Sequence, residues 1–256
     1  MIDKLIAAAK KAGEIILSAH DIENAVDEKS GTANFVTKYD VMVQEYLFDE
    51  LKKSFPKAKF MGEENGADHL YENGLCFIID PIDGTTNFIL NYRHSAVSIG
   101  LAQDGEMIAG VVYNPYMDEV FHAEKGKGAF LNGQKIKAVE RSIAQSVVGY
   151  GTSPYYPDKM DATFKLVRDL YELSLDVRRS GSAAIDLCYI ACSRTGLFFE
   201  TKLSPWDYAA ASLIITEAGG SIGRIEGGDI TLDKPCSVLA GNKKAAEEFH
   251  TRFSFK

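Results

Sequence analysis

What the chain lacks removes several kinds of chemistry. Its four cysteines, Cys76, Cys188, Cys192 and Cys236, form no C-x-x-C pair. Structural zinc and thioredoxin-like centres are therefore disfavoured. Cys188 and Cys192 stand four apart in a predicted helix and read as core residues. The five histidines (His20, His69, His94, His122 and His250) are scattered, with no H-E-x-x-H, and read as surface or packing residues. No G-x-S-x-G elbow occurs, and no G-x-G-x-x-G joins a strand to a helix, which argues against a serine nucleophile on an elbow and against a dinucleotide-binding domain. No apolar run approaches the ~20 residues of a membrane span. Met1-Ile2-Asp3-Lys4 leads into an amphipathic pattern rather than a signal-peptide core. A cytoplasmic protein with reduced thiols and no membrane partner is expected. Basic charge is also short: 28 Lys and Arg against 36 Asp and Glu give a net charge of −8. Bulk electrostatics thus speaks against nucleic acid as a partner.

What is present suits a sizeable core. The 256 residues are 46% hydrophobic, without repeats, low-complexity tracts or an obvious linker. One compact domain over 1–256 is expected, with an α+β half over about 1–140 and an α/β half over about 141–256. Ile6, Ala9, Gly13, Ile16 and Leu17 have helical spacing within 3–20. The polar segment Asp27 to Asn34 reads as an exposed, mobile loop. Val41, Tyr46, Leu47, Leu51 and Phe55 predict a helix ending near Pro56, followed by a strand from Ala58 to Met61. Strands are predicted over 96–102 and 107–113 around the hairpin signal Asp104-Gly105. Two more fall at 119–123 and 129–131. Gly126-Lys127-Gly128 lacks Walker spacing and a following helix, so it reads as a hairpin turn. This section suggests an antiparallel sheet. Further on come a strand at 146–151 and a helix over 158–173 with Met160, Phe164, Val167 and Leu170 or Tyr171 on one side. Ser182 is placed to cap a helix over 183–193. A strand at 196–200, a helix starting at Pro205 and stopping at Gly219-Gly220, a strand at 237–240 and a helix over 243–252 complete the chain.

The informative stretch is Asp80-Pro81-Ile82-Asp83-Gly84-Thr85-Thr86-Asn87-Phe88, directly after the apolar run Leu75 to Ile79. A buried strand delivers two carboxylates into a Gly-Thr-Thr turn. Acids in that position are costly without a positive partner, and a divalent cation is the natural one. A glycine turn exposes N–H groups suited to an anion. Glu63 likewise follows a strand, and Asp207 opens a helix beside Trp206, the only tryptophan. Taken alone, Glu63-Glu64 could be a solvated turn and Asp207 a helix cap. An oxygen-only donor set favours Mg²⁺ or Mn²⁺ over zinc or copper.

Gly62-Glu63-Glu64, Asp80 to Phe88 and Trp206-Asp207-Tyr208-Ala209-Ala210, in that order, resemble the motifs of the inositol monophosphatase family of Mg²⁺-dependent, lithium-sensitive sugar phosphatases. The resemblance covers essentially the whole chain. It implies a five-layer α-β-α-β-α sandwich of the inositol monophosphatase and fructose-1,6-bisphosphatase type, with a larger antiparallel sheet, a smaller mixed one and the acids meeting between them. It implies a phosphoric monoester hydrolase acting on inositol monophosphate or a related polyol or sugar phosphate, and a homodimer. Glu63, Asp80 and the Ile82 carbonyl would hold one metal ion; Asp80, Asp83 and Asp207 would hold a second. A third ion could touch Glu63. Glu63, Thr85 and Asp83 form the implied catalytic set, with Thr85 and Glu63 orienting and deprotonating the attacking water. Gly84 and Thr85 would hold the phosphate. Gly181, Ser182, Ala183, Glu200 and Asp207 would bind the substrate, and Lys29 would lie over the site. Two departures stand out: Asn34 where the family often has aspartate, and Ala210-Ala211 where Ala-Gly is usual.

The nearest rival, a haloacid-dehalogenase-type phosphatase, needs its two acids two residues apart rather than three. Other substrates within the superfamily are fructose 1,6-bisphosphate, NADP and 3′-phosphonucleotides. A reading of another class is a partner protein in a transcription or RNA-processing complex.

Overall fold

The computed structural model describes residues 1–20, 22, 26–28, 35–65 and 73–253. In chain order, α1 (Ile2–Leu17) precedes the short ribbon β1 (Val26–Glu28) and β2 (Phe35–Thr37). Then come α2 (Lys38–Ser54), β3 (Lys59–Gly62), β4 (Leu75–Asp83), α3 (Thr85–Ile89), β5 (Ala96–Gln103), β6 (Glu106–Asn114), β7 (Glu119–Glu124), β8 (Gly128–Leu131) and β9 (Gln134–Ile136). The remainder is β10 (Val147–Tyr150), α4 (Met160–Leu173), β11 (Asp176–Arg178), α5 (Ala183–Ala191), β12 (Leu197–Leu203), α6 (Pro205–Glu217), β13 (Ser221–Gly223), β14 (Cys236–Gly241) and α7 (Lys243–Arg252). No helix among the described residues is long and apolar enough to cross a membrane.

Strands β3 to β9 form a seven-stranded sheet in sequence order. β3 runs parallel to β4, and every later neighbour is antiparallel. The expected antiparallel sheet is therefore mixed at its first edge, where no turn signal in the sequence separates the two pairings. The second sheet has five strands in the order β11-β10-β12-β14-β13. β10 is parallel to both β11 and β12, while β14 is antiparallel to β12 and β13.

Three cores define the layers. Leu5, Ala9, Val43 and Leu47 of α1 and α2 pack on Phe77, Ile99 and Val111 of the large sheet. Ile185 and Cys188 of α5 and Ala210 and Ile214 of α6 fill the space between the sheets, against Val112 and Phe121 on one side and Phe198 and Val238 on the other. Leu166 and Leu170 of α4 and Phe249 of α7 cover the outer face of the small sheet over Val148 and Leu239. This is the expected α-β-α-β-α sandwich. It explains the composition of α6, which is apolar nearly all round because it has a sheet on each side. There β6 comes so close that a Cβ on Gly110 would lie 2.4 Å from the Ala210 carbonyl oxygen. The methyl of Ala211, where the family usually has glycine, is fully buried in this central layer.

Most predicted elements are present within a residue or two of their expected ends. Asp104 and Gly105 both have positive φ, 51° and 83°, as the tight β5–β6 hairpin requires. Gly126-Lys127-Gly128 is a hairpin turn, and its Gly126 and Gly128 N–H groups donate to the Glu217 carboxylate at 2.6 and 2.7 Å. Two helix faces differ from expectation. On α4, Thr163, Leu166 and Leu170 are buried, whereas Met160, Phe164 and Tyr171 are exposed. The helix has two adjacent apolar stripes, and the one that includes a threonine faces the sheet. On α2, Val41 is exposed, while Asp40 and Gln44 are buried among Tyr39, Val43, Leu47 and Leu51.

Candidate active site

Asp80 and Asp83 both lie within β4, near its end. In a regular strand, residues three apart point to opposite faces. Here the register slips: Asp80 faces Ser98 and Asp83 faces Ala96, so three steps on β4 match two on β5. This one-residue bulge brings both carboxylates to one place. Gly84 then turns the chain at φ 89°, where a Cβ would also press on the Gly181 carbonyl oxygen at 3.0 Å. Only glycine serves there. The turn starts α3, whose first residue is Thr85.

Asp207 arrives from the central layer. Ser204 and Asp207 form a capping box at the start of α6, with the Ser204 N–H donating to Asp207 Oδ2 at 2.7 Å. Capping and site-building thus coexist in one carboxylate. Oxygens of Asp80, Asp83 and Asp207 all lie within 4.8 Å of one another. They open, with Glu63, into a cleft of about 510 Å³ that also reaches Thr85, Ser182 and Glu200. Burial raises Asp80 well above the usual carboxylate range, and the neighbouring Glu63, Asp83 and Asp207 charges push the same way. Asp207 is raised well above it too, first by burial, then by Asp83 and Glu63. Asp83 is pushed to about 6 by burial, against the hydrogen bonds it receives. Those come from the Ser182 hydroxyl and from the Ala184 N–H at 3.0 Å, both to Asp83 Oδ2.

Crowded acids without a lysine or arginine among them are unstable as bare anions. The set fits a hard divalent cation: oxygen donors only, gathered from two sheets' worth of chain, with no sulfur or imidazole among them. Glu63, Asp80, Asp83, Asp207 and the Ile82 carbonyl are the groups that could hold one or more Mg²⁺ or Mn²⁺ ions.

The structure brings together every expected site residue that it describes. Glu63 sits at the cleft after β3, and its turn is pinned by Gln44, whose Oε1 accepts the Glu64 N–H at 3.1 Å. Gly84, Thr85, Gly181, Ser182, Ala183 and Glu200 also line the cleft. Lys29 and Asn34 lie outside the described residues, as does most of the loop expected to cover the site.

Several residues near the site are not marked by the sequence pattern. Asp40 accepts from the Thr85 hydroxyl at 3.3 Å, a hydroxyl shared with the Ile82 carbonyl at 3.2 Å. Burial pushes Asp40 to about 7, against its hydrogen bonds from Thr37. Its Thr37-x-x-Asp40 spacing is a capping box and is used as one, which disguised it. Ser153 donates its N–H to Glu200 Oε1 at 2.7 Å and holds Lys202 through its hydroxyl. Glu200 is pushed to about 7 by burial. Asp186 lines the cleft, accepts from the Ser180 hydroxyl at 2.7 Å and is likewise raised to about 7 by burial. An acid inside the apolar run Ala183 to Cys188 was the signal available for it.

A mixed sandwich with a cluster of carboxylates in the cleft between its sheets is the frame of a metal-binding site. Residues 1–255 match the inositol monophosphatase family. An inositol-1-monophosphatase from Mesorhizobium japonicum is 37% identical over 246 residues, covering 95% of this chain and 92% of that protein. The Nus factor SuhB of Escherichia coli K12 is 35% identical over 250 residues, 96% of this chain and 93% of its own. The crystal structure of the extragenic suppressor protein suhB from Bartonella henselae superposes with a TM-score of 0.91 at 35% identity, covering 98% of this chain and 96% of that one. The chain belongs to the inositol monophosphatase family.

Proposed function

We infer that this protein hydrolyses the phosphate monoester of a small polyol or sugar in a Mg²⁺-dependent reaction. The observation that carries the reading is the convergence of Asp80, Asp83 and Asp207 oxygens within 4.8 Å, at a cleft whose other wall holds Glu200. Glu63, Asp80, the Ile82 carbonyl, Asp83 and Asp207 are the proposed holders of two ions, with Mn²⁺ as a substitute. When bound, such ions supply positive charge for the phosphate and the departing alkoxide and make water acidic at neutral pH.

The chain's own groups complete the chemistry. The Thr85 hydroxyl is anchored by Asp40, which can hold a proton near neutrality. With Glu63, Thr85 orients the attacking water, whose proton passes to the Thr85 hydroxyl as that hydroxyl hands its own proton to the Asp40 carboxylate. The Gly84 and Thr85 N–H groups face the phosphate oxygens at the turn. Ser182 keeps Asp83 fixed, and Gly181, Ala183 and Glu200 position the alcohol, Glu200 by accepting hydroxyl hydrogens. No covalent phosphoenzyme is needed. As in the family, we propose a homodimer.

Phosphate release from inositol 1-phosphate, with Mg²⁺ and with EDTA, tests this reading. Mg²⁺-dependent release is expected, and release indifferent to EDTA would sink it. The E. coli relative's name, Nus factor, motivates a second reading: a protein partner of a transcription complex. The retained acids favour the enzyme.

A further inference from the structure

Ser153, Pro154, Tyr155 and Tyr156 form a tight turn at the cleft, closed by the Tyr156 N–H donating to the Ser153 carbonyl at 2.9 Å. Pro154 stands second in it, where its fixed φ suits the bend, and Tyr155 third. Both ends of the turn are fastened to β12. Ser153, buried and held at φ 42°, gives its N–H to Glu200 Oε1 at 2.7 Å. Its hydroxyl donates to the Lys202 carbonyl at 3.1 Å and accepts the Lys202 N–H at 3.0 Å. At the other end, Lys202 Nζ lies 3.8 Å from the centroid of the Tyr156 ring.

The residue so mounted is Tyr155, which lines the cleft although 49% of it is exposed. Burial is nevertheless the first influence that raises its phenol, so the hydroxyl is the inward end and the ring the outward one. The next influences are the charges of Glu63, Asp207, Asp80 and Asp83, in that order. The hydroxyl therefore sits among the acids of the metal site, and all these influences keep its proton on. Among the described residues it donates to no acceptor. It is a fixed donor without an acceptor of its own, beside the place the reacting phosphate would occupy.

A transferring phosphoryl group spreads its charge over three peripheral oxygens. Gly84 and Thr85 offer N–H donors from the β4 side of the cleft, and Tyr155 offers a hydroxyl from the β12 side. We propose that Tyr155 is a further substrate-binding residue, whose hydroxyl donates a hydrogen bond to an oxygen of the phosphate group that is released. This rests on the phosphatase reading above. A donor on an anchored turn needs no reorganisation as charge builds on that oxygen.

Inorganic phosphate in saturating Mg²⁺ is the probe, because it carries the group in question and no alcohol. Calorimetric titration should give Tyr155→Phe a Kd about 10-fold above that of the wild type, since a hydrogen bond to a charged group is lost. The kcat/KM for inositol 1-phosphate should fall by at least about the same factor. Tyr155→Leu should match Tyr155→Phe in both measurements, and the Tm of Tyr155→Phe should equal that of the wild type. Wild-type phosphate affinity in Tyr155→Phe overturns the proposal. So does a loss confined to Tyr155→Leu, which would assign the effect to the ring. Phosphate binding that depends on Tyr155, in a wild type that hydrolyses neither inositol 1-phosphate nor fructose 1,6-bisphosphate, would sink the phosphatase reading and leave the donor standing. A wild type that binds no phosphate in Mg²⁺ would overturn both.

Discussion

The Asn87 side-chain amide donates to the Ser180 carbonyl at 2.9 Å and to the His94 carbonyl at 2.7 Å. One amide on α3 thereby ties the phosphate turn to the loop that carries Gly181 and Ser182. Two halves of the cleft, from two different sheets, are joined by this anchor in addition to the bonds from Ser182 and Ala184 to Asp83. Asn87→Ala would leave two carbonyls short of a donor. The expected cost is about 2–4 kcal/mol, seen as a Tm lowered by roughly 5–10 °C. KM should rise as the walls lose their register. An unchanged Tm would show that the link is not structural.

Thr85 and Asp40 are joined across 45 positions of sequence. Thr85→Ala removes the hydroxyl proposed to take the water's proton and should lower kcat by about 10²-fold or more. Thr85→Ser keeps the hydroxyl and should retain most of the activity. Steady-state kinetics of the two variants decides this, since equal losses would assign Thr85 to packing alone.

The pH dependence of stability follows from the buried acids. Asp40, Asp186 and Glu200 are each raised to about 7 in the fold. Their unfolded values lie near 4. Between these values the folded chain binds more protons than the unfolded one, so unfolding free energy falls as pH rises. In EDTA, Tm should therefore drop between pH 5 and pH 8. Millimolar Mg²⁺ should restore it at pH 8 more than at pH 5, because the ion binds the deprotonated cluster. Calorimetric scans at both pH values measure this, and a Tm that climbs with pH in EDTA would contradict it.

Gly110 meets α6 at close range, so Gly110→Ala would force a methyl against the Ala210 backbone. A loss of about 1–3 kcal/mol is expected from chemical denaturation. The backbone of a buried helix cannot yield as a side-chain tip could.

Much of the architecture was legible because β4, β5 and β6 are apolar runs with explicit turn chemistry between them. The acids of the site were legible for the same reason: Asp80 and Asp83 interrupt a buried strand. The bulge that aims them together was not, since a register slip is a property of two strands and shows in neither alone. Asp40, Gln44 and Thr163 escaped because periodicity counts polar residues as outward-facing. Each instead makes a hydrogen bond to a residue at least 20 positions away, which a one-dimensional pattern does not contain. The parallel edge at β3 escaped because apolar alternation is blind to strand direction. Glu63 and Asp207, each ambiguous alone, were legible through the family motifs that contain them, and the fold carries both to the cleft of Asp80.

The most direct measurement is phosphate release by wild type and Asp83→Asn, side by side, in saturating Mg²⁺ and in EDTA. Asp83 accepts from Ser182 and Ala184 while facing Asp80 and Asp207, so the amide alters the ion-holding charge with little change in shape. The expected result is Mg²⁺-dependent release by wild type, reduced by about 10³-fold in Asp83→Asn, which remains folded. Equal release from the two proteins, or release that persists in EDTA, would contradict the assignment of this cleft as a metal-dependent phosphatase site.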